Sequence, residues 1–223
     1  MIGSEGTLGF IAETVMKTLP NLPLKYTGLL FFPTIQKACS SIVSLKESGA
    51  NIVELMDRAA LKAVENQEGA PEIMKKLPEE AVAFLVEYGC YTEAEREGIE
   101  KKVEEVSRSL PLLEHPNFTK EPLEQAKLWK IRKGLLPSVG ADRPQGTTVL
   151  IEDVTFPLSK LADAVTDIQG LFAKYNYENA IIFGHVKGGN IHFVIKQSFN
   201  TDDDVKIYED FMAEVVDIVV HKY

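Results

Sequence analysis

Two apolar runs, Ala180 to Val186 and Ile191 to Gln197, are separated only by a short stretch containing Gly188-Gly189, and no other feature constrains the fold as tightly. A glycine pair reaches the positive φ values that primed turns demand, so the runs are expected to form an antiparallel hairpin. Counting outward from a two-residue turn sets Lys187 against Asn190, Val186 against Ile191 and His185 against His192. Opposed residues on one face of a ribbon have Cβ atoms about 5 Å apart, close enough for two imidazoles to converge on one divalent ion. The alternative is an ordinary pair of half-buried aromatic rings. A metal site would need at least one more ligand, and no third His or Cys stands nearby in sequence.

Upstream, short runs rich in β-formers alternate with stretches of helical spacing. Strands are expected at Tyr26 to Phe32, Asn51 to Met56, Ala81 to Tyr88 and Thr147 to Phe156. Helices are expected at Thr34 to Glu47, Asp57 to Asn66, from the Thr92/Glu95 capping box to about Arg108, from Glu121-Pro122 through Trp129 and Arg132 to about Leu135, at Leu158 to Lys174 and at Asp202 to Val220. Pro111 to Thr119 shows no period, and the Pro and Gly content of Pro137 to Gly146 predicts a loop. Strand-helix-strand order occurs twice, and with the terminal hairpin it argues for an α+β fold, an antiparallel sheet with helices packed on one face. A doubly wound parallel sheet is the alternative.

With 223 residues, 45% of them hydrophobic, the chain can bury a sizeable core. Its net charge of −9 opposes phosphate backbones, so no nucleic-acid partner is expected. No apolar run approaches the roughly 20 residues that cross a bilayer, and the first residues do not resemble a secretory leader, so a cytoplasmic location is expected. Cys39 and Cys90 have no Cys or His at ligand spacing and are expected to be reduced and buried. His115 reads as a loop residue, and His221 as the last turn of a helix.

The nonapeptide Gly184-His185-Val186-Lys187-Gly188-Gly189-Asn190-Ile191-His192 resembles the Gly-His-x-x-x-Gly-Asn-x-His element of the FAD-linked oxidases, the family that includes D-lactate dehydrogenase, the glycolate oxidase flavin subunit and D-2-hydroxyglutarate dehydrogenase. Gly3-Ser4-Glu5-Gly6-Thr7-Leu8-Gly9-Phe10-Ile11 is similar to the closing signature of that family's flavin domain. Leu128-Trp129-Lys130-Ile131-Arg132, followed by Glu152-Asp153-Val154 and Pro157, resembles the core of its substrate domain. One departure lies inside the metal element, where Gly188 stands at a position the family commonly fills with Asp.

The resemblance implies a division into residues 1–22, the terminal strip of a flavin-binding domain, and 23–223, a ferredoxin-like substrate and metal (cap) domain truncated at its C-terminal end. The rest of the flavin domain and a metal-binding Glu with a catalytic His would lie outside the chain, so the chain alone is expected to fold but to be inactive. It implies oxidation of a D-2-hydroxy acid to the 2-oxo acid by hydride transfer to FAD, with zinc or manganese at the substrate hydroxyl. His185 and His192 would be metal ligands, and Gly3, Ser4, Glu5, Gly6, Thr7 and Gly9 would lie against the cofactor. Arg132 would clamp the substrate carboxylate, unless it only pairs with an acidic neighbour on its helix; Arg143 is a second candidate, and Asn190 either touches ligand or holds the turn. The implied partners are a small 2-hydroxy acid, an electron acceptor or membrane periphery met by a longer protein, and a second copy in a homodimer. A competing reading makes the chain a binding or dimerisation module with structural histidines.

Overall fold

A computed structural model describes residues 1, 3–4 and 6–223. The expected strands form: β1 (Leu24–Phe32), β2 (Ile52–Met56), β3 (Val82–Cys90), β5 (Thr147–Thr155), β6 (Ile181–His185) and β7 (Asn190–Ser198), with a short β4 (Phe118–Thr119) in the stretch that showed no period. They make one sheet in the order β4-β1-β3-β2-β6-β7-β5, and each neighbouring pair is antiparallel. The helices are α1 (Ile35–Glu47), α2 (Arg58–Val64), α3 (Glu93–Ser109), α4 (Pro122–Lys133), α5 (Leu135–Ala141), α6 (Leu161–Lys174) and α7 (Asp202–Asp217).

The doubled strand-helix-strand order becomes two split units. In the first, α1 carries the chain from β1 to β2 and β3 returns between them; in the second, α6 carries it from β5 to β6 and β7 returns between them. The units join where β2 pairs with β6, at Glu54↔His185, Leu55↔Gly184 and Met56↔Phe183. The side-chain period of two then sorts each strand between two cores. Leu30, Phe32, Val53, Leu55, Phe84, Ile182, Phe193 and Ile195 pack under α1, α3, α6 and α7. Leu29, Phe31, Met56, Leu85, Phe183 and Val194 pack under α2, α4 and α5.

The larger helical layer thus occupies one face, as expected for this α+β sheet, and the opposite face carries a second, partial layer. That layer comes mainly from the 58–76 segment, inserted between β2 and β3, and from α4 and α5. The equivalent position in the second unit is a tight turn between β6 and β7, so the sheet there stays open, with Ile151 of β5 exposed. The boundary between covered and open halves runs along β2 and β6.

Caps follow the sequence. Thr34 accepts from the Lys37 amide, Thr92 and Thr201 close capping boxes with Glu95 and Asp204, and Asp57 Oδ1 accepts from the Ala60 amide at 2.8 Å. The loop expected over 137–146 is instead helical through Ala141. Pro137 falls in the first turn of α5, where an amide hydrogen has no helical partner to lose.

Asp57 is fully buried, and burial pushes its carboxyl up to about 6 against hydrogen bonds from Ala60, Ile182 and Gln169 that pull it down. A raised folded-state value means that the native state holds the proton more tightly than the unfolded chain does. Stability contributed by the protonated group is therefore lost as pH rises from about 4 to about 6. Asp57→Asn keeps the cap and removes the buried charge, so denaturant unfolding should show the variant flatter than wild type across that window and more stable above it. Parallel stability profiles would contradict this.

Candidate active site

The β6–β7 connection departs from the two-residue turn. The ladder registers Ile181↔Val194, Ile182↔Phe193 and Phe183↔His192, so the residue directly opposite His192 is Phe183, not His185. Here the chain leaves the ladder as a single 3-10 turn over Val186–Gly188, with Val186 fully buried in the larger core. Gly189 closes the turn at φ 78°, its amide donating to Val186 O and its carbonyl accepting from the Phe156 amide. A shift of two residues preserves the face. His185 and His192 therefore stand as diagonal neighbours on the same side, ring centroids 5.2 Å apart and nearly perpendicular.

Around them the sheet sets a polar band on its second face. Glu54, paired with His185 across β2–β6, is 4% exposed, and its Oε1 lies 2.6 Å from His185 Nδ1. Its Oε2 accepts from Arg132 Nε at 2.9 Å and meets Nη2 at the same distance. Arg132, in the last turn of α4, also places its guanidinium carbon over the Phe183 ring, 4.4 Å from its centroid. On the far side Asp153 of β5 faces His192, its Oδ2 3.6 Å from Nδ1. Burial lowers the pKa of His192, with Asp153 acting in the opposite sense. Burial likewise lowers that of Arg132, against the pull of Glu54.

The band brings together Arg132, His185, His192 and, beside them, Asn190. The Asn190 side-chain amide donates to Asp153 Oδ1, Val154 O and Thr155 Oγ1, which ties the start of β7 to β5. Arg143 lies exposed in the connection between α5 and β5, and among the described residues it forms no hydrogen bond or ion pair with the band. At the other end of the chain, Gly3, Ser4, Gly6 and Thr7 form turns and bends, Gly9 follows them without regular structure, and Glu5 lies outside the described residues. Residues 9–22 run without regular secondary structure, and Phe10, Val15, Met16 and Leu19 are largely exposed. The backbone at Gly3 and Gly6 is open, with nothing within 4 Å of where a Cβ would stand.

For a divalent ion the fit is half complete. Two imidazoles present themselves on one face, but among the described residues no three His, Cys, Asp or Glu side chains are grouped to hold a metal. Asp153 is already engaged by Asn190. Glu54 was not legible as a site residue, although a lone charge within Ile52-Val53-Glu54-Leu55-Met56 is itself a signal. A buried carboxylate inside an apolar strand must have partners there.

The fold is thus an antiparallel α+β sheet with this polar band at the edge of its open half. Residues 24–222 match the family of FAD linked oxidases, C-terminal domain, and the chain belongs to that family. Glycolate oxidase subunit GlcD of Bacillus subtilis is 29% identical over 96% of this chain and 44% of its own length. The mitochondrial D-lactate dehydrogenase [cytochrome] of Kluyveromyces lactis is 26% identical over 97% of this chain and 38% of its own. The chain thus spans less than half the length of these relatives. In fold it is similar to an alkyldihydroxyacetonephosphate synthase, with a TM-score of 0.65 at 16% identity over 97% of this chain and 43% of that one. No helix among the described residues is long and apolar enough to cross a membrane.

Proposed function

We propose that this chain is the substrate-side domain of a flavin-dependent dehydrogenase that oxidises a D-2-hydroxy acid, of the lactate, glycolate or 2-hydroxyglutarate type, to the 2-oxo acid. The observation that carries the reading is the placement of Arg132, His185 and His192 on one sheet face at the border of its open half. Membership of the family and relatives named as glycolate oxidase and D-lactate dehydrogenase support the chemistry.

Glu54 occupies the Nε side of the Arg132 guanidinium, and Phe183 covers one of its faces. Among the described residues Nη1 has no hydrogen-bond partner, so the free edge can take a carboxylate in two-pronged fashion. Held there, the acid's C2 and hydroxyl extend over the imidazoles. The hydroxyl proton leaves toward a base and the C2 hydrogen leaves as hydride, so the substrate loses two electrons and the hydroxyl becomes the oxo group. FAD, when bound, accepts the hydride. His185 and His192 are the residues that would hold a divalent ion such as zinc or manganese, which lowers the pKa of an oxygen it binds, with further ligands from outside these residues. Gly3, Ser4, Gly6, Thr7 and Gly9 would form part of the wall against the flavin.

The test is oxidation of D-lactate, glycolate and D-2-hydroxyglutarate by the FAD-loaded dehydrogenase that carries this domain, with Arg132→Lys beside it. A lysine keeps the charge and loses the fork, so KM for the preferred acid should rise by roughly tenfold or more with a smaller change in kcat. No oxidation of any 2-hydroxy acid, or an unchanged KM in the variant, would overturn the reading.

A further inference from the structure

Glu54 is a buried charge at the join between the two halves of the sheet, and neither of its oxygens is spare. Oε1 faces His185 Nδ1 and Oε2 takes the Nε and Nη2 side of Arg132. An ionised carboxylate only accepts, so the hydrogen between Glu54 and His185 must sit on Nδ1, and the His185 lone pair must sit on Nε2. The His185 side chain is 61% exposed, on the open side of the band. The same carboxylate that sets this tautomer also holds the guanidinium so that its Nη1 edge stays free.

Resting on the proposed site, we propose that Glu54 is its positioning residue, one carboxylate that presents the Nε2 lone pair of His185 and the free edge of Arg132 to the same ligand. Residues on three separate elements, β2, α4 and β6, thereby act as a unit. Substrate clamp and imidazole are not independently adjustable. Glutamine at position 54 has the same shape and one acceptor oxygen in place of two. Its amide NH2 must face either the guanidinium or Nδ1–H, a donor against a donor, and one of the two partners is released.

The experiment follows ring and guanidinium nitrogen shifts by 15N NMR in the labelled 223-residue chain, at a pH where the imidazoles are neutral. Wild type should show His185 as the Nδ1–H tautomer and a hydrogen-bonded Arg132 Nε–H. Glu54→Gln should shift His185 toward the Nε2–H tautomer or return Arg132 Nε–H to its solvent-exposed shift, with the remaining spectrum that of a folded protein. In the FAD-loaded dehydrogenase that carries this domain the same change should cost roughly ten- to a hundredfold in kcat/KM for the preferred acid, as removal of an orienting partner does, and Glu54→Asp should recover part of it. An Nε2–H tautomer of His185 in wild type overturns the proposal whether or not the variant folds, as does a folded Glu54→Gln chain with both signals unchanged. Because the tautomer is read without substrate, Glu54 can be right while the hydroxy-acid assignment fails, and the reverse.

Discussion

Gly189→Ala is expected to cost more than about 3 kcal/mol of stability, while Gly188→Ala beside it should fall within about 0.5 kcal/mol of wild type. Gly189 sits at φ 78°, and a Cβ there would lie 2.0 Å from the carbonyl oxygen of Phe156, a backbone atom held by the reciprocal bond from Phe156 N to Gly189 O. No side chain can swing aside to relieve that contact. Gly188 is outside the left-handed region and has nothing within 4 Å of its would-be Cβ. Denaturant unfolding of the pair measures the difference. Since the turn carries His185 into the band, the Gly189 variant should also separate the two imidazoles. Equal stabilities would mean that the turn is looser than described.

Arg132→Met should cost about 3 kcal/mol, from the carboxylate it strands more than from the contact it removes. Glu54 and Arg132 side chains are 5% and 12% exposed, so solvent cannot take the arginine's place without opening the layer formed by α4. His185 remains as a partner for Glu54 and keeps the loss at the lower end for a broken buried pair. Replacing both members, Arg132→Met with Glu54→Leu, should recover a large part of it, because the double variant leaves no buried charge. Additive losses in the double variant would show that the two side chains act independently.

Local chemistry made much of the fold legible. Thr34, Asp57 and Thr92 are helix starts because their side chains accept from amides that the helix cannot satisfy, and each shows in sequence without reference to the rest of the chain. A strand such as β3 was legible because it is buried on both faces, as in Val82-Ala83-Phe84-Leu85-Val86. Where tertiary demand outweighed local preference, the sequence misled. Pro137 marks a loop by composition but occupies the tolerated first turn of a helix, and β4 is a two-residue strand created by pairing with β1.

The site was legible to the same depth. The His185 and His192 spacing located the band, because a period of two is indifferent to an error of two residues in register. The register itself differs by two residues because the connection is a 3-10 turn over Val186–Gly188 closed at Gly189, longer than the two-residue turn that the glycine pair suggests. Glu54 belongs to the site through pairing of β2 with β6, strands far apart in sequence, and so emerges only once the sheet is assembled.

The claim that one sheet face binds the acid is tested most directly by mapping where D-lactate and glycolate perturb side-chain nitrogen signals of the labelled chain. The account predicts shifts at Arg132, His185 and His192, lost in Arg132→Lys, and none at Arg58 or Lys62, which line the separate cleft of about 810 Å³ at the strand ends beside α2. Perturbation centred on Arg58 and Lys62, with the signals of Arg132 and the two histidines unmoved, would contradict it.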